Sequence, residues 1–185
     1  MRAVASGLMA RQIASADAPE RAFEAVYAEH CDFVWRCLRR MGVQSAVVED
    51  AVQDTFVIFH RRLSDLRPEA SVRAFLFGIA LRVAHDYRRS ARRKGATSLD
   101  VEAQISDESG PFESTMKAEA LRRLEQFLAT LDDDKRAVFV LAELEQLSAP
   151  EISEALAVNL NTVYSRLRLA RERFVAFLAA QGRSS

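Results

Sequence analysis

Leu147-Ser148-Ala149-Pro150-Glu151-Ile152-Ser153-Glu154-Ala155-Leu156, then Ala157-Val158-Asn159, then Leu160-Asn161-Thr162-Val163-Tyr164-Ser165-Arg166-Leu167-Arg168, is the stretch that decides the fold. Ser148 and Glu151 stand at capping-box spacing, and Pro150 falls in a first helical turn, where its missing N–H breaks no hydrogen bond. A short helix starts there. Ala157-Val158-Asn159 predicts a tight turn in which Asn159 caps a second helix. Ile152, Leu156, Val158, Val163 and Leu167 supply the contact between the two helices, and small Ser153 lets them cross closely. The pattern is a helix-turn-helix. On its second helix Val163, Leu167, Ala170 and Phe174 share a stripe, so Asn161, Ser165, Arg168 and Glu172 face the other way, flanked by Thr162, Tyr164, Arg166, Arg171 and Arg173. Such a face suits a major groove, with Arg168 and Ser165 toward base edges and Arg166, Arg171 and Arg173 toward phosphates. The plainer alternative is an amphipathic hairpin with a basic solvent face. Cap, turn length and basic second helix agree better with duplex DNA.

Upstream, helical periodicity reaches back to Lys117 through Leu121, Leu124, Phe127 and Leu128, then through a helix opened by Asp132 to Asp134 and carrying Val138, Leu141 and Leu144. Residues 96–116 lose that period and hold Gly110, Pro111 and the acids Asp100, Glu102, Asp107, Glu108 and Glu113, the composition of a flexible acidic linker. Before it, Asp17 and Pro19 open a helix whose inner stripe is Phe23, Val26, Tyr27, His30, Phe33, Val34, Cys37, Leu38 and Met41, ending at Gly42. A second runs from about Ala46 to Leu63 on Val48, Val52, Phe56, Phe59 and Leu63, and Ser71 caps a third that stops at Gly95. Nothing alternates with period two. The expected class is all-α: a loose leader 1–18, a helical domain 19–95, the linker 96–116, a helix-turn-helix domain 117–180 and a tail 181–185.

Helix 46–63 turns Asp50, Gln53, Asp54 and Val57 outward at i, i+3, i+4 and i+7, a compact acidic and amide ridge. By itself that reads as a solvated face. Helix 71–94 says more, because with Val72, Leu76, Ile79 and Val83 turned to the core its far side carries Phe77, Leu81, His85, Arg88 and Arg92. From Arg82 to Lys94 the bases Arg82, Arg88, Arg89, Arg92, Arg93 and Lys94 face the single acid Asp86. An exposed Phe77 leading into cations is a nucleic-acid surface, since cations hold phosphates and an aromatic ring stacks on an unpaired base. Its bland counterpart is a Phe77 buried against another helix beside a merely solvated basic run.

With 26 basic and 26 acidic residues, total charge is silent and only its distribution informs. No apolar run approaches the ~18 residues a membrane span needs, and Met1 to Ala10 is too weakly apolar for a signal peptide, so a cytoplasmic protein without membrane insertion is expected. Cys31 and Cys37 are misaligned on one helix and read as core residues, with no disulfide and no metal partner beside His30. No phosphate loop, nucleophile elbow or metal-spaced histidine set is present, so neither cofactor nor enzyme is expected.

Val48-Glu49-Asp50-Ala51-Val52-Gln53-Asp54-Thr55-Phe56, then Ser71-Val72-Arg73-Ala74-Phe75-Leu76-Phe77-Gly78-Ile79-Ala80, then Val163-Tyr164-Ser165-Arg166-Leu167-Arg168-Leu169-Ala170-Arg171-Glu172-Arg173 resemble, in order and spacing, the extracytoplasmic-function (group four) sigma factors of bacterial RNA polymerase. The resemblance covers residues 20 to 178. It implies a sigma region 2 domain whose Asp50, Gln53, Asp54 and Val57 dock on core polymerase. It also implies a minus-ten surface made by Arg67, Ser71, Arg73, Phe77, Arg82, His85, Arg88, Arg89 and Arg92, which receives melted promoter DNA with a base flipped out of the stack. The region 4 domain would read the minus-thirty-five element with Asn161, Thr162, Tyr164, Ser165, Arg166, Arg168 and Arg171. Many such factors are held inactive by an anti-sigma protein, a partner that no residue here establishes. Gly78, Leu81 and Arg82 stand where many members have Arg, Arg and Asn, so the promoter sequence does not carry over. The other reading is a helix-turn-helix regulator that binds duplex DNA without joining polymerase; it leaves the Asp50 ridge and Phe77 without a use.

Overall fold

The computed structural model describes residues 19–66, 70–93 and 111–182, and every regular element among them is helical. The leader, Arg67, the stop at Gly95, most of the acidic linker and residues 183–185 of the tail lie outside the described residues.

In the first half α1 spans Pro19–Arg40, α2 Val48–Arg61 and α3 Val72–Arg93. Gly42, at φ 89°, takes the left-handed conformation that turns the chain after α1. Ser71 caps α3 as its position predicts, its hydroxyl oxygen accepting the Ala74 amide at 3.3 Å. Val34, Leu38, Val52, Phe56, Phe59, Leu76, Ile79 and Val83 are buried where the three helices meet. Each large side chain removed from water there contributes roughly 1.5–3 kcal/mol. Tyr27 departs from its expected place on the inner stripe and is 43% exposed. Val26 takes the inward position, so Tyr27, about 100° round the helix, only lays its ring on Phe56 at the rim, with centroids 4.7 Å apart.

In the second half α4 spans Pro111–Ala129, α5 Asp133–Phe139, α6 Ala149–Leu156 and α7 Leu160–Gln181. α4 begins at Pro111 rather than Lys117, because proline's fixed φ suits a first helical position. Asp132 caps α5 by accepting the Lys135 amide at 2.9 Å. The helix expected to run on through Leu144 instead widens into a π-helical turn over Val140–Leu144, and Gln146, at φ 57°, redirects the chain. Phe127, Phe139 and Phe174 form the centre of this half, with Phe127 5.0 Å and 4.9 Å from the other two rings.

The buried apolar residues of both halves form one cluster, and α3 packs against α6. That contact decides which predicted site residues are open to solvent.

Candidate nucleic-acid interface

The helix-turn-helix is built as its sequence dictates. Ser148 donates its amide (2.8 Å) and its hydroxyl (2.6 Å) to the Glu151 carboxylate. Burial pushes Glu151 up, but the Ser148 bonds, the Ser71 hydroxyl and the Arg73 charge more than offset this and hold its carboxyl below the usual carboxylate range. Ala157 closes α6 in the left-handed conformation at φ 53°, and Asn159 caps α7 by accepting the Thr162 amide at 2.8 Å. Ser153 does more than permit a close crossing: its hydroxyl donates to the Val158 carbonyl and ties the turn to α6.

On α7 Val163 and Ala170 are buried, while Asn161, Tyr164, Ser165, Arg168 and Arg171 are exposed and Thr162 and Arg166 half-buried. The guanidiniums assigned to phosphates are already partnered within their own module. Arg166 pairs with Asp134, Arg171 with Glu143 at 2.7 Å, and Arg173 donates to the Thr130 carbonyl at 2.9 Å. Arg168 meets only Glu172, one turn on, at 2.6 Å. Exposed pairs of this kind contribute about 0–1 kcal/mol each, so exchanging them for a phosphate or a base edge costs little.

On α3 the structure corrects one expectation. Phe77 has no exposed surface and cannot stack on a base in this arrangement. On the helical wheel it lies between Arg73, Gly78, His85 and Arg88, each of which meets the second half. Arg73 donates to Glu145 at 2.8 Å, while its guanidinium lies 4.5 Å from the Phe33 ring centroid. A Cβ at Gly78 would come within 2.9 Å of the Ala155 carbonyl oxygen. His85 reaches Asp133 at 3.0 Å, and Arg88 donates to the same carboxylate. Burial pushes Asp133 up, yet the Arg88 hydrogen bond and the Arg88, His85 and Arg136 charges outweigh it and lower its carboxyl. Of the remaining minus-ten residues, Ser71 is half-buried in its cap, and Arg82, Arg89 and Arg92 are exposed. Arg67 lies outside the described residues.

On α2 the ridge faces outward as predicted: Asp50, Gln53, Asp54 and Val57 are all exposed. Asp54 accepts the Tyr87 hydroxyl at 2.8 Å, tying the ridge to α3. Tyr87 is pushed up to about 12, by burial first and then by that bond and the Asp54 and Asp50 charges. Beside the ridge runs a groove of about 750 Å³ lined by Phe23, Tyr27, Trp35, Phe56, Val57 and His60. The sequence reading missed Trp35, 40% exposed, although its place next to inward Val34 puts it off the core stripe.

Glu145 was missed too, and it is the most enclosed acid of the site, with a side chain 3% exposed. Its oxygens meet Arg40, Arg36 (3.5 Å) and Arg73. A signal existed: Val138, Leu141 and Glu145 stand at i, i+3 and i+7 on an otherwise apolar stripe. Among the described residues no group of His, Cys, Asp or Glu has the arrangement of a metal site, and no helix is long and apolar enough to cross a membrane.

Comparison with known proteins agrees with this layout. Residues 26–94 match the family described as Sigma-70 region 2, and residues 121–174 match Sigma-70, region 4. The chain is 33% identical to the RNA polymerase sigma factor CnrH of Cupriavidus metallidurans, with 95% of each chain covered. It is 30% identical to the ECF RNA polymerase sigma factor SigL of Mycobacterium tuberculosis over 88% of this chain and 92% of SigL. Its fold matches that of CnrH solved in complex with the cytosolic domain of CnrY, with TM-score 0.70, 30% identity and coverage of 95% and 98%. RpoE of Bartonella quintana, in complex with the anti-sigma factor NepR, shares the fold at TM-score 0.69 and 18% identity, over 85% of this chain and 96% of RpoE. Two sigma domains in the expected order, and relatives matched over nearly their whole length, place this chain in the family of extracytoplasmic-function sigma factors of bacterial RNA polymerase.

Proposed function

We propose that this protein binds core RNA polymerase in the cytoplasm and directs promoter-specific initiation, reading the minus-ten element with α3 and the minus-thirty-five element with α7. The observation that carries the reading is the pairing of an outward acidic ridge on α2 with an outward polar and basic face on α7, each held by buried residues behind it. Asp50, Gln53, Asp54 and Val57 dock on the polymerase, where charge fixes orientation and hastens encounter. Arg168 and Ser165, with Asn161, Thr162 and Tyr164 beside them, meet base edges in the major groove, while Arg166 and Arg171 release their own carboxylates and take phosphates.

Around melted DNA, Arg67, Ser71, Arg73, Arg82, His85, Arg88, Arg89 and Arg92 supply the phosphate and polar contacts, while Phe77, buried, supports the helix from within. The factor contributes binding energy and no bond chemistry: unstacking a base costs a few kcal/mol, which pocket and phosphate contacts offset. An anti-sigma partner belongs to this reading, supported by the capture of CnrH with the cytosolic domain of CnrY.

Transcription in vitro with sigma-free core enzyme and mapped start sites tests the proposal. Specific starts that depend on the added chain are expected. A chain that binds promoter duplex but ignores core enzyme would instead be a helix-turn-helix regulator.

A further inference from the structure

By residue type the groove-facing end of α7 is a polar surface, but its hydroxyls are turned inward. The Thr162 hydroxyl donates to the Asn159 side-chain oxygen at 2.9 Å, the same oxygen that caps the helix, and the Ser165 hydroxyl donates to the Thr162 carbonyl at 3.1 Å. Each hydroxyl keeps lone pairs that accept, and neither has a proton left for a base edge. The rest of each side chain is hydrocarbon. At about 100° per residue Thr162, Ser165 and Leu169 fall within a stripe roughly 60° wide, between Arg168 on one side and Arg166 on the other. Leu169 completes that stripe and is 39% exposed.

A lone exposed leucine needs no explanation. Leu169 stands instead among arginines, in line with two side chains whose donors are spent, on the face that meets duplex DNA in the reading above. In the major groove the base edges present donors and acceptors at every pair and one apolar group, the 5-methyl of thymine. Water and phosphate gain nothing from a leucine, whereas a thymine methyl set against it leaves water. Val175 and Leu178, also exposed, lie ~9 Å or more farther along the axis, beyond the earlier turns that reach base edges.

We propose that α7 reads a thymine by its 5-methyl group, with Leu169 as the contact and the Thr162 and Ser165 hydrocarbon beside it, next to the base that Arg168 meets. The proposal rests on the assignment of α7 to the minus-thirty-five element, and it names one base of that element and the group by which it is known. Neither hydroxyl has a proton for the thymine O4, so the methyl is what this stripe can hold. Uracil, which differs from thymine by that methyl alone, isolates it.

The test uses the full chain with sigma-free core polymerase. Duplexes are selected from a library randomised in the upstream element, and the recovered site is rebuilt with uracil in place of each of its thymines in turn. Competition binding reads the change. At one position uracil is expected to weaken binding about fourfold, the effect of one buried methyl. Leu169→Ala should bind thymine and uracil there alike, while Leu169→Met, which keeps an apolar end, should still tell them apart. Val175→Ala, a similar truncation farther along α7, should discriminate as the parent does. The absence of any thymine at which uracil weakens binding would overturn the proposal, as would a methyl effect that survives undiminished in Leu169→Ala. Failure of the parent to enrich any sequence over the random pool would tell instead against the promoter assignment.

Discussion

Replacing Asp54 separates two roles that one carboxylate performs. It stands on the exposed ridge of α2 and accepts the Tyr87 hydroxyl at 2.8 Å. Asp54→Ala removes both charge and acceptor; Asp54→Asn removes the charge and keeps an oxygen in place. A hydrogen bond to a charged group contributes about 1.5–3 kcal/mol, but this one is exposed and water can replace either partner, so about 1 kcal/mol is expected for its loss. Docking is a separate quantity. A charge that becomes desolvated and paired on the polymerase loses about 2–5 kcal/mol when truncated, and the lower end, about thirtyfold in affinity, suits a ridge residue. Urea denaturation of the free chain should therefore show Asp54→Ala destabilised by about 1 kcal/mol and Asp54→Asn within about 0.5 kcal/mol of the parent. In competition for core polymerase both should weaken together. Asn binding core enzyme as tightly as Asp would refute the charge argument, and Ala doing so would remove the ridge from the interface.

Other expectations are equally direct. Arg168→Ala should relax discrimination at one base position by roughly 1–3 kcal/mol, whereas Arg171→Ala should weaken all sequences alike; a promoter-variant panel reads the difference. Asn159→Ala removes the cap of α7 and should cost about 1 kcal/mol in denaturant unfolding, while Ala157→Gly, relieving the left-handed φ of 53°, should gain about 0.5–1 kcal/mol. Tyr87 gives an alkaline signature, because the folded phenol titrates at about 12 and the unfolded one near 10. Its contribution is full below pH 10 and is lost as pH rises from about 10 to about 12, so Tyr87→Phe should flatten the stability profile in that window.

Local rules made most of the secondary structure legible. The Ser148 and Glu151 pair, the Asn159 cap, the Asp132 cap and the Gly42 stop each depend on a few neighbouring residues, and each stands where the sequence placed it. Periodicity fails where a helix changes its own pitch, as in the π-helical turn over Val140–Leu144, because the stripe is then computed on the wrong wheel. Leu144, expected inward, is only half-buried there. Glu145 marks a different limit: the regular wheel already sets it about 20° from Val138, but a stripe position cannot tell that Arg40 and Arg73, far away in the chain, will meet it there.

Phe77 exposes a deeper limit. Sequence pattern distinguishes an inner from an outer face within one module, and by that standard Phe77 is outer, opposite Val72, Leu76 and Val83. Whether an outer apolar face meets water, DNA or another module depends on contacts between residues far apart in the chain, which no short window contains. Arg73 and Glu145 are 72 residues apart, and Arg40 and Glu145 are 105 apart. Gly78 is the one local trace of that contact, legible in the sequence only as a missing side chain in the middle of a helix. If Gly78 serves the closed packing, its helix-weakening cost must be offset by contacts that exist only when the modules meet. Gly78→Ala should then tighten α3 as a helix and loosen its hold on α6 in the same molecule, so hydrogen exchange would slow at α3 amides and quicken across α6. Slower exchange in both would mean that the glycine has no part in holding the modules together.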